Sequence, residues 1–274
     1  MKTYLLTYGD KNFYISKKHL ISLANRSNFF DYSISLGPKN LSYEFKKKYA
    51  NILSKKRGGG YWIWKHHILF NLLRDIPDGD VVIYCDAGAS INFNEKATKR
   101  YFQYISMLKD SNFSNLRMNC EEGFIEKYYT KKEIFEYFDV KTNSEISNSL
   151  QLQAGHMFFE KNNDSLEYFR DYESLLDKNS DLITDKLEPE KQIKNFKENR
   201  HDQSIFSFLS KIRGSLVIQN ETEFRVRPEQ QYGFPFLSVR SYGHGPKDYI
   251  KYTLNSKKFT EKTVFFNDPS KTDY

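Results

Sequence analysis

Asp86 directly follows the apolar run Val81-Val82-Ile83-Tyr84-Cys85 and precedes two small residues, Ala87 and Gly88. A carboxylate placed there can reach a ligand lying over the edge of a sheet, and Gly88 lets the backbone approach that ligand closely. The same position also suits an Asp that caps its own turn. The run Arg57-Gly58-Gly59-Gly60-Tyr61-Trp62-Ile63-Trp64-Lys65 is a second candidate. Three glycines ahead of a helix can form a phosphate-cradling turn, with Arg57 and Lys65 supplying charge. Trp62 and Trp64 are either core residues or a wall for a nucleotide or sugar, whose C–H faces pack on aromatic rings. The run lacks the Gly-Lys-Ser/Thr of a Walker A loop and does not directly follow a strand as a dinucleotide fingerprint does.

Two further stretches carry groups able to move protons. His201-Asp202-Gln203 opens a helix, where Asp202 is either a simple N-cap or a carboxylate kept ionised by the helix N-terminus. Gly155-His156 interrupts an apolar stretch, as a relief of crowding or as an opening for substrate. His244, between Gly243 and Gly245 and followed by Pro246-Lys247, can hold a metal or phosphate or simply be exposed. Cys-x-x-Cys, His-Glu-x-x-His and Gly-x-Ser-x-Gly are all absent, which argues against a structural zinc and two hydrolase templates. Adjacent His66 and His67 diverge on a helix and make a poor chelating pair.

The elements that must position these groups follow from periodicity. Tyr4 to Tyr8, Asp31 to Leu36 and Val81 to Tyr84 read as strands, the last apolar throughout and so covered on both faces. Gly37-Pro38 and Pro77-Asp78-Gly79 are turns. Helices are expected around His19 to Asn25, Ser42 to Ser54, Tyr61 to Leu73, Lys96 to Leu108 and Lys131 to Phe138. Leu152 to Glu160 reads as a strand with a close backbone approach at Gly155. Asp164, with Glu167, fits a capping box for a helix through Leu176. Residues 185 to 200 read as a solvated excursion, and Ile205, Phe208, Leu209 and Ile212 form the stripe of a core-facing helix. Strand and helix alternate early, so an α/β unit with a largely parallel sheet is expected, its ligands lying beyond the carboxyl ends of the strands.

Composition agrees with a packed globular chain. Twenty-three Phe, 20 Tyr and 2 Trp in 274 residues are ample material for a core. The apolar runs are too short for a membrane span, and the N-terminal residues do not read as a signal peptide. Two cysteines cannot build a disulfide framework, and Cys85 reads as a small buried side chain. A cytoplasmic location, with peripheral association at the inner face of a membrane, is expected. The net charge of +7 admits anionic partners of several kinds.

Taken together, Gly59 to Lys65, Val81 to Gly88, Gln153 to Phe159 and His201 to Ser204 resemble, in order and spacing, a nucleotide-sugar-dependent glycosyltransferase of the GT-A type. The resemblance spans roughly residues 1 to 215. It implies a single GT-A-like α/β domain over 1–256, with a central mixed, mostly parallel sheet flanked by helices. The nucleotide-binding half is then about 1–120 and the acceptor half about 121–256, with 257–274 a polar tail.

By the same resemblance, Thr7 and Tyr8 lie by the nucleoside, and Asp86, with Ala87 and Gly88, stands at the Asp-x-Asp motif near the donor ribose and metal. Gly155 and His156 flank the transferred sugar. Asp202 and Gln203 match an Asp-Gln pair at the reacting centre, with Asp202 the first candidate to take the acceptor's proton, His156 the second, and Gln203 orienting substrate. His244 to Lys247 is loosely similar to a late element that binds metal and diphosphate. Gly88 stands where the second Asp belongs, so a Mn²⁺ or Mg²⁺ ion falls to Asp86 and His244, and otherwise Arg57, Lys65 or Lys247 must neutralise the diphosphate. The implied donor is a nucleoside-diphosphate sugar, most often a uridine diphosphate sugar. The implied acceptor is a saccharide, polysaccharide or lipid-linked glycan, in polysaccharide biosynthesis, without a nucleic-acid partner. Two rival readings are a basic nucleic-acid-binding module and a sugar-nucleotide binder without turnover.

Overall fold

The strand pattern sorts side chains onto two faces, as a period of two requires. In Val81–Cys85, Val82 and Tyr84 enter one core layer while Val81, Ile83 and Cys85 enter the other. All five are sealed from water, and each large apolar side chain so buried contributes about 1.5–3 kcal/mol. The computed structural model describes residues 1–223 and 232–239. His244, Lys247 and the 257–274 tail lie outside the described residues.

The strands are β1 (Thr3–Tyr8), β2 (Tyr32–Leu36), β3 (Val81–Cys85), β4 (Ser90–Ile91), β5 (Asn115–Met118), β6 (His156–Glu160), β7 (Leu216–Ile218) and β8 (Phe236–Leu237). Six of them form one sheet in the order β2-β1-β3-β6-β5-β7. Pairings β1 with β2, β1 with β3 and β5 with β7 are parallel, whereas β6 runs antiparallel to both β3 and β5. The α/β class with a central mixed, mostly parallel sheet is therefore as expected. Helices 64–75, 163–178 and 202–213 cover one face, and helices 14–27 and 95–110 cover the other. Strands β4 and β8 make a separate antiparallel pair. Among the described residues no helix is long and apolar enough to cross a membrane.

Several local expectations need correction. The helix expected from Tyr61 starts at Trp64, because Tyr61 and Trp62 adopt φ of 55° and 58°. The stretch read as one strand from Leu152 is a strand only from His156, with Leu152 making an isolated bridge to Asn119. The helix through Leu176 is capped by Asn162, in a reciprocal box with Ser165, not by Asp164 with Glu167. Asn162 supplies the same acceptor two residues earlier. The helix expected from Ser42 to Ser54 is two short helices, Tyr43–Lys48 and Ala50–Leu53, broken at Tyr49. Strand β5 was not expected, since Asn-Leu-Arg-Met shows no apolar run. Residues 185 to 200 are mostly exposed, but Asn199 is buried and ties them to Leu182 and Thr184 through its side-chain amide.

Candidate functional site

The carboxyl ends of β1 and β3 open into a cavity of about 1170 Å³, ample for a nucleotide with a sugar attached. Because β6 is antiparallel, its first residue, His156, pairs with Cys85, the last of β3. Gly155 is thereby delivered to the edge that carries Asp86. The Asp86 N–H donates to the Gly155 carbonyl at 2.9 Å. A Cβ on Gly155 would stand 3.3 Å from Asp86 Oδ2, so the glycine is what lets the two backbones meet here.

Lys65 lies at the centre. Its ammonium is buried, 2.6 Å from Asp202 Oδ2 and 3.3 Å from Asp86 Oδ1, and donates to the Ala154 carbonyl at 3.1 Å. It also sits 4.9 Å above the Tyr84 ring, and the Tyr84 hydroxyl donates to Asp86 Oδ1 at 2.7 Å. Burial opposes the charge on Lys65, yet the two carboxylates outweigh it and raise its pKa above the usual lysine range. Burial pushes Asp202 up to about 6, against the pull of Lys65. Asp86 differs from Asp202 in exposure: its side chain is 47% exposed where that of Asp202 is 6%. One carboxylate faces the ligand space broadly and the other only at its edge.

Neither carboxylate serves merely to cap a turn. The side chain of Asp86 is taken by Tyr84 and Lys65. Residue 201, not Asp202, holds the N-cap position of helix 202–213. His201 adopts φ 55°, ψ −121°, a conformation a non-glycine residue rarely holds. Its ring stacks on Tyr61 at 4.9 Å, and Nδ1 bonds the Ile183 carbonyl at 2.8 Å. These contacts hold the helix start, and hence Asp202, in place.

The glycine run does not cradle an anion with its backbone. Residues 58 to 62 all have positive φ, a left-handed turn. The N–H groups of Gly59, Gly60, Tyr61 and Trp62 are spent on Lys56, Arg57 and Gly58 carbonyls. Gly58 and Gly60 are required by packing: a Cβ on Gly58 would lie 2.3 Å from the Trp62 ring, and one on Gly60 2.8 Å from Leu53 Cα. The turn instead seats the tryptophans. Trp64 donates from Nε1 to the Gly58 carbonyl at 3.0 Å and stacks on Tyr8 at 3.9 Å. Trp64 is thus both core and cavity wall, beside Trp62. Arg57 reaches the rim with Lys46, Lys55 and Lys56, though its guanidinium also pairs with Asp185 at 3.1 Å.

Among the other expected residues, Ala87, Gly88, His156 and Gln203 also line the cavity. Thr7 is sealed within β1, its hydroxyl without a partner. His156 is buried with both ring nitrogens unpartnered, and burial lowers it to about 4, so the imidazole is neutral and a weak base. Sequence reading missed Cys120 and Gln151 around the site and gave Ala154 no role. The available signal was a pair of amides, Gln151 and Gln153, flanking Leu152 in an otherwise apolar stretch.

A divalent ion needs several oxygen or nitrogen ligands. Among the described residues no group of three His, Cys, Asp or Glu side chains converges in that way. Asp86 stands alone, with one oxygen already shared by Tyr84 and Lys65, and Gly88 offers no ligand. The described residues do not by themselves fit a metal.

No family model matches the chain, and no curated protein matches it. Solved structures similar to it include a glycosyltransferase involved in glycosylating the major capsid of PBCV-1, at 11% identity and TM-score 0.48, covering 86% of this chain and 92% of that one. A galactosyltransferase in complex with donor and acceptor sugar analogues is 11% identical, TM-score 0.42, covering 94% and 96%. A 4-diphosphocytidyl-2C-methyl-D-erythritol synthase is also 11% identical, TM-score 0.42, covering 93% and 99%.

Proposed function

We propose that this chain is a GT-A-like glycosyltransferase, moving a sugar from a nucleoside-diphosphate sugar, with uridine as the base, to a saccharide acceptor. The observation that carries the reading is the buried Lys65 ammonium between Asp86 and Asp202, at the carboxyl ends of parallel strands, where such sheets bind ligands. The stacked Tyr8 and Trp64 rings, with Trp62, offer apolar faces to a nucleoside or sugar. The lysines and arginine at the rim suit a diphosphate.

In this reading Asp86 accepts hydrogen bonds from donor hydroxyls through its exposed oxygen, and Gly155 leaves room for the sugar. The bond from the anomeric carbon to the diphosphate breaks as the acceptor oxygen bonds that carbon. The acceptor's proton passes to Asp202, whose pKa of about 6 leaves it ionised near neutrality and close to the operating pH. That role makes the transfer inverting.

The test is calorimetric titration with UDP, followed by turnover of UDP-sugars and proton NMR of the product anomer. Asp86→Asn should keep the fold and lower transfer by roughly 10²-fold, as expected for loss of an electrostatic contact. Unchanged turnover in Asp86→Asn, or a product that retains the donor's anomeric configuration, would remove the corresponding role.

A further inference from the structure

Gln203 lines the cavity, and its side-chain amide has two ends of opposite character. Which end meets a ligand is decided chiefly behind it, by Glu126 and Gln151, which do not line the cavity. Glu126 is fully buried. Its Oε2 accepts from Lys211 and from the Ser207 hydroxyl, each at 2.5 Å. Its Oε1 accepts from the Thr130 hydroxyl at 2.5 Å and from Gln151 Nε2 at 3.2 Å. The carboxylate, held by a lysine, has only acceptor oxygens to offer.

Gln151 must therefore turn its NH₂ toward Glu126. Carbonyl oxygen of Tyr129, 3.3 Å from the same Nε2, imposes the same orientation. The Gln151 Oε1 then points away, and it accepts from Gln203 Nε2 at 2.9 Å. Gln203 Nε2 also lies 3.4 Å from the Cys120 sulfur. One donor is thus held behind the cavity by Gln151 and the other by Cys120 at the cavity wall, while among the described residues no donor is found on its Oε1. An acid followed by two amides passes one polarity along the line, since each amide must receive at the end opposite to the one that donates.

We infer that Glu126 and Gln151 are positioning residues that orient the Gln203 amide so that its oxygen, not its nitrogen, is offered to the bound ligand. The ligand group facing Gln203 is then a donor, such as a sugar hydroxyl. This rests on the glycosyltransferase reading for the identity of the ligand. Without the relay the Gln203 amide would rotate between its two orientations, and a fraction of molecules would present NH₂ to the ligand hydroxyl.

The experiment combines two measurements. In the first, Gln151→Met, Gln203→Met and the double variant are compared for thermal midpoint, UDP affinity and kcat with a UDP-sugar. The expected result is midpoints close to wild type, UDP affinity within about twofold, and kcat lowered about 10-fold in each single variant. The double variant should be no worse than either one, the non-additivity expected of groups acting through one another. Losses that multiply, or a Gln151→Met kcat equal to wild type, would overturn the relay. In the second, side-chain amide exchange of Gln203 is followed by NMR in the wild-type chain, which needs no variant to fold. Slow exchange of the Gln203 NH₂ protons, little altered by UDP-sugar, supports the orientation, and fast exchange overturns it. A wild-type chain that neither binds UDP nor turns over any UDP-sugar overturns the underlying reading and the inference with it. An active wild type with multiplying losses overturns the inference alone.

Discussion

Lys65 shows how one side chain decides the behaviour of two others. An ammonium sealed from water is costly unless it is paired, and here two carboxylates and a carbonyl receive it. Asp202 is raised to about 6 by burial, and Lys65 is the largest influence holding it down. Its ionised form is the one able to take a proton, so kcat should fall as pH drops through about 6. Lys65→Met removes the charge that favours the carboxylate, which moves Asp202 further up, and the acid limb of the pH profile should shift toward neutral pH with it. Lys65→Arg keeps the charge and should shift the limb less. A profile of kcat against pH for the three proteins checks this; an unmoved limb in Lys65→Met would show that the limb belongs to another group. The alternative role for Lys65, neutralising the leaving diphosphate, sits poorly with its burial. That task falls more naturally to the exposed Lys46, Lys55 and Lys56 at the rim.

At the scale of elements, the site depends on backbones meeting closely. Gly155 has ordinary φ, so an alanine there tests space alone. The added Cβ would press on Asp86 Oδ2 from 3.3 Å, and Asp86 has little freedom to yield because Tyr84 and Lys65 hold its other oxygen. Gly155→Ala should lower kcat several-fold while the thermal midpoint moves by less than about 3 °C, a change under about 1 kcal/mol. A collapse of the midpoint would mean the glycine serves packing first. The strands that carry Asp86 and Tyr8 were legible in the sequence, Val81 to Tyr84 as an unbroken apolar run and Tyr4 to Tyr8 as a short, mostly apolar run ended by Gly9-Asp10. Strand β5 was not, because its Arg117 is buried among the Tyr168 and Ser210 hydroxyls and the Phe206 and Gln153 carbonyls, so a charged letter stands at a core position. The left-handed turn was half legible. Three glycines announce a special conformation, but nothing local says that Tyr61 and Trp62 will share it. The meeting of Lys65, Asp86 and Asp202 was illegible as a contact, since strand order alone brings such distant segments together. Asp86 and Asp202 were nonetheless picked out singly by their places at the end of a strand and the start of a helix, and Lys65 by its charge after the glycine run.

The whole molecule carries a surplus of seven positive charges, which by itself suits a nucleic acid as well as a nucleotide. The distribution of aromatic residues separates the two. Strand-tracking proteins stack bases on exposed rings set among cations. Here the rings are mostly spent on the two core layers either side of the sheet, where Tyr84, Tyr101, Tyr104, Phe158, Phe159, Phe169 and Phe206 are fully buried. Among the described residues Tyr8, Phe13, Trp62, Trp64 and Phe124 line one cavity together with the carboxylates. Those carboxylates would repel a continuous phosphate backbone passing over them, yet they suit the hydroxyls of a sugar whose diphosphate lies by the cationic rim. UDP should therefore bind at one site per chain, with an affinity that Asp86→Asn weakens. A 20-nucleotide single strand should bind more weakly at 0.15 M salt, and its binding should be lost steeply as salt rises, with a slope set by the number of phosphates neutralised. Charge reversal at Lys55 and Lys56 should weaken both ligands, whereas a Trp62→Ala change should weaken UDP-sugar and leave the single strand nearly unaffected. Calorimetry of the two ligands across a salt series checks this. Tight, Trp62-dependent binding of the single strand, with UDP unbound, would make the chain a nucleic-acid binder and the cavity incidental.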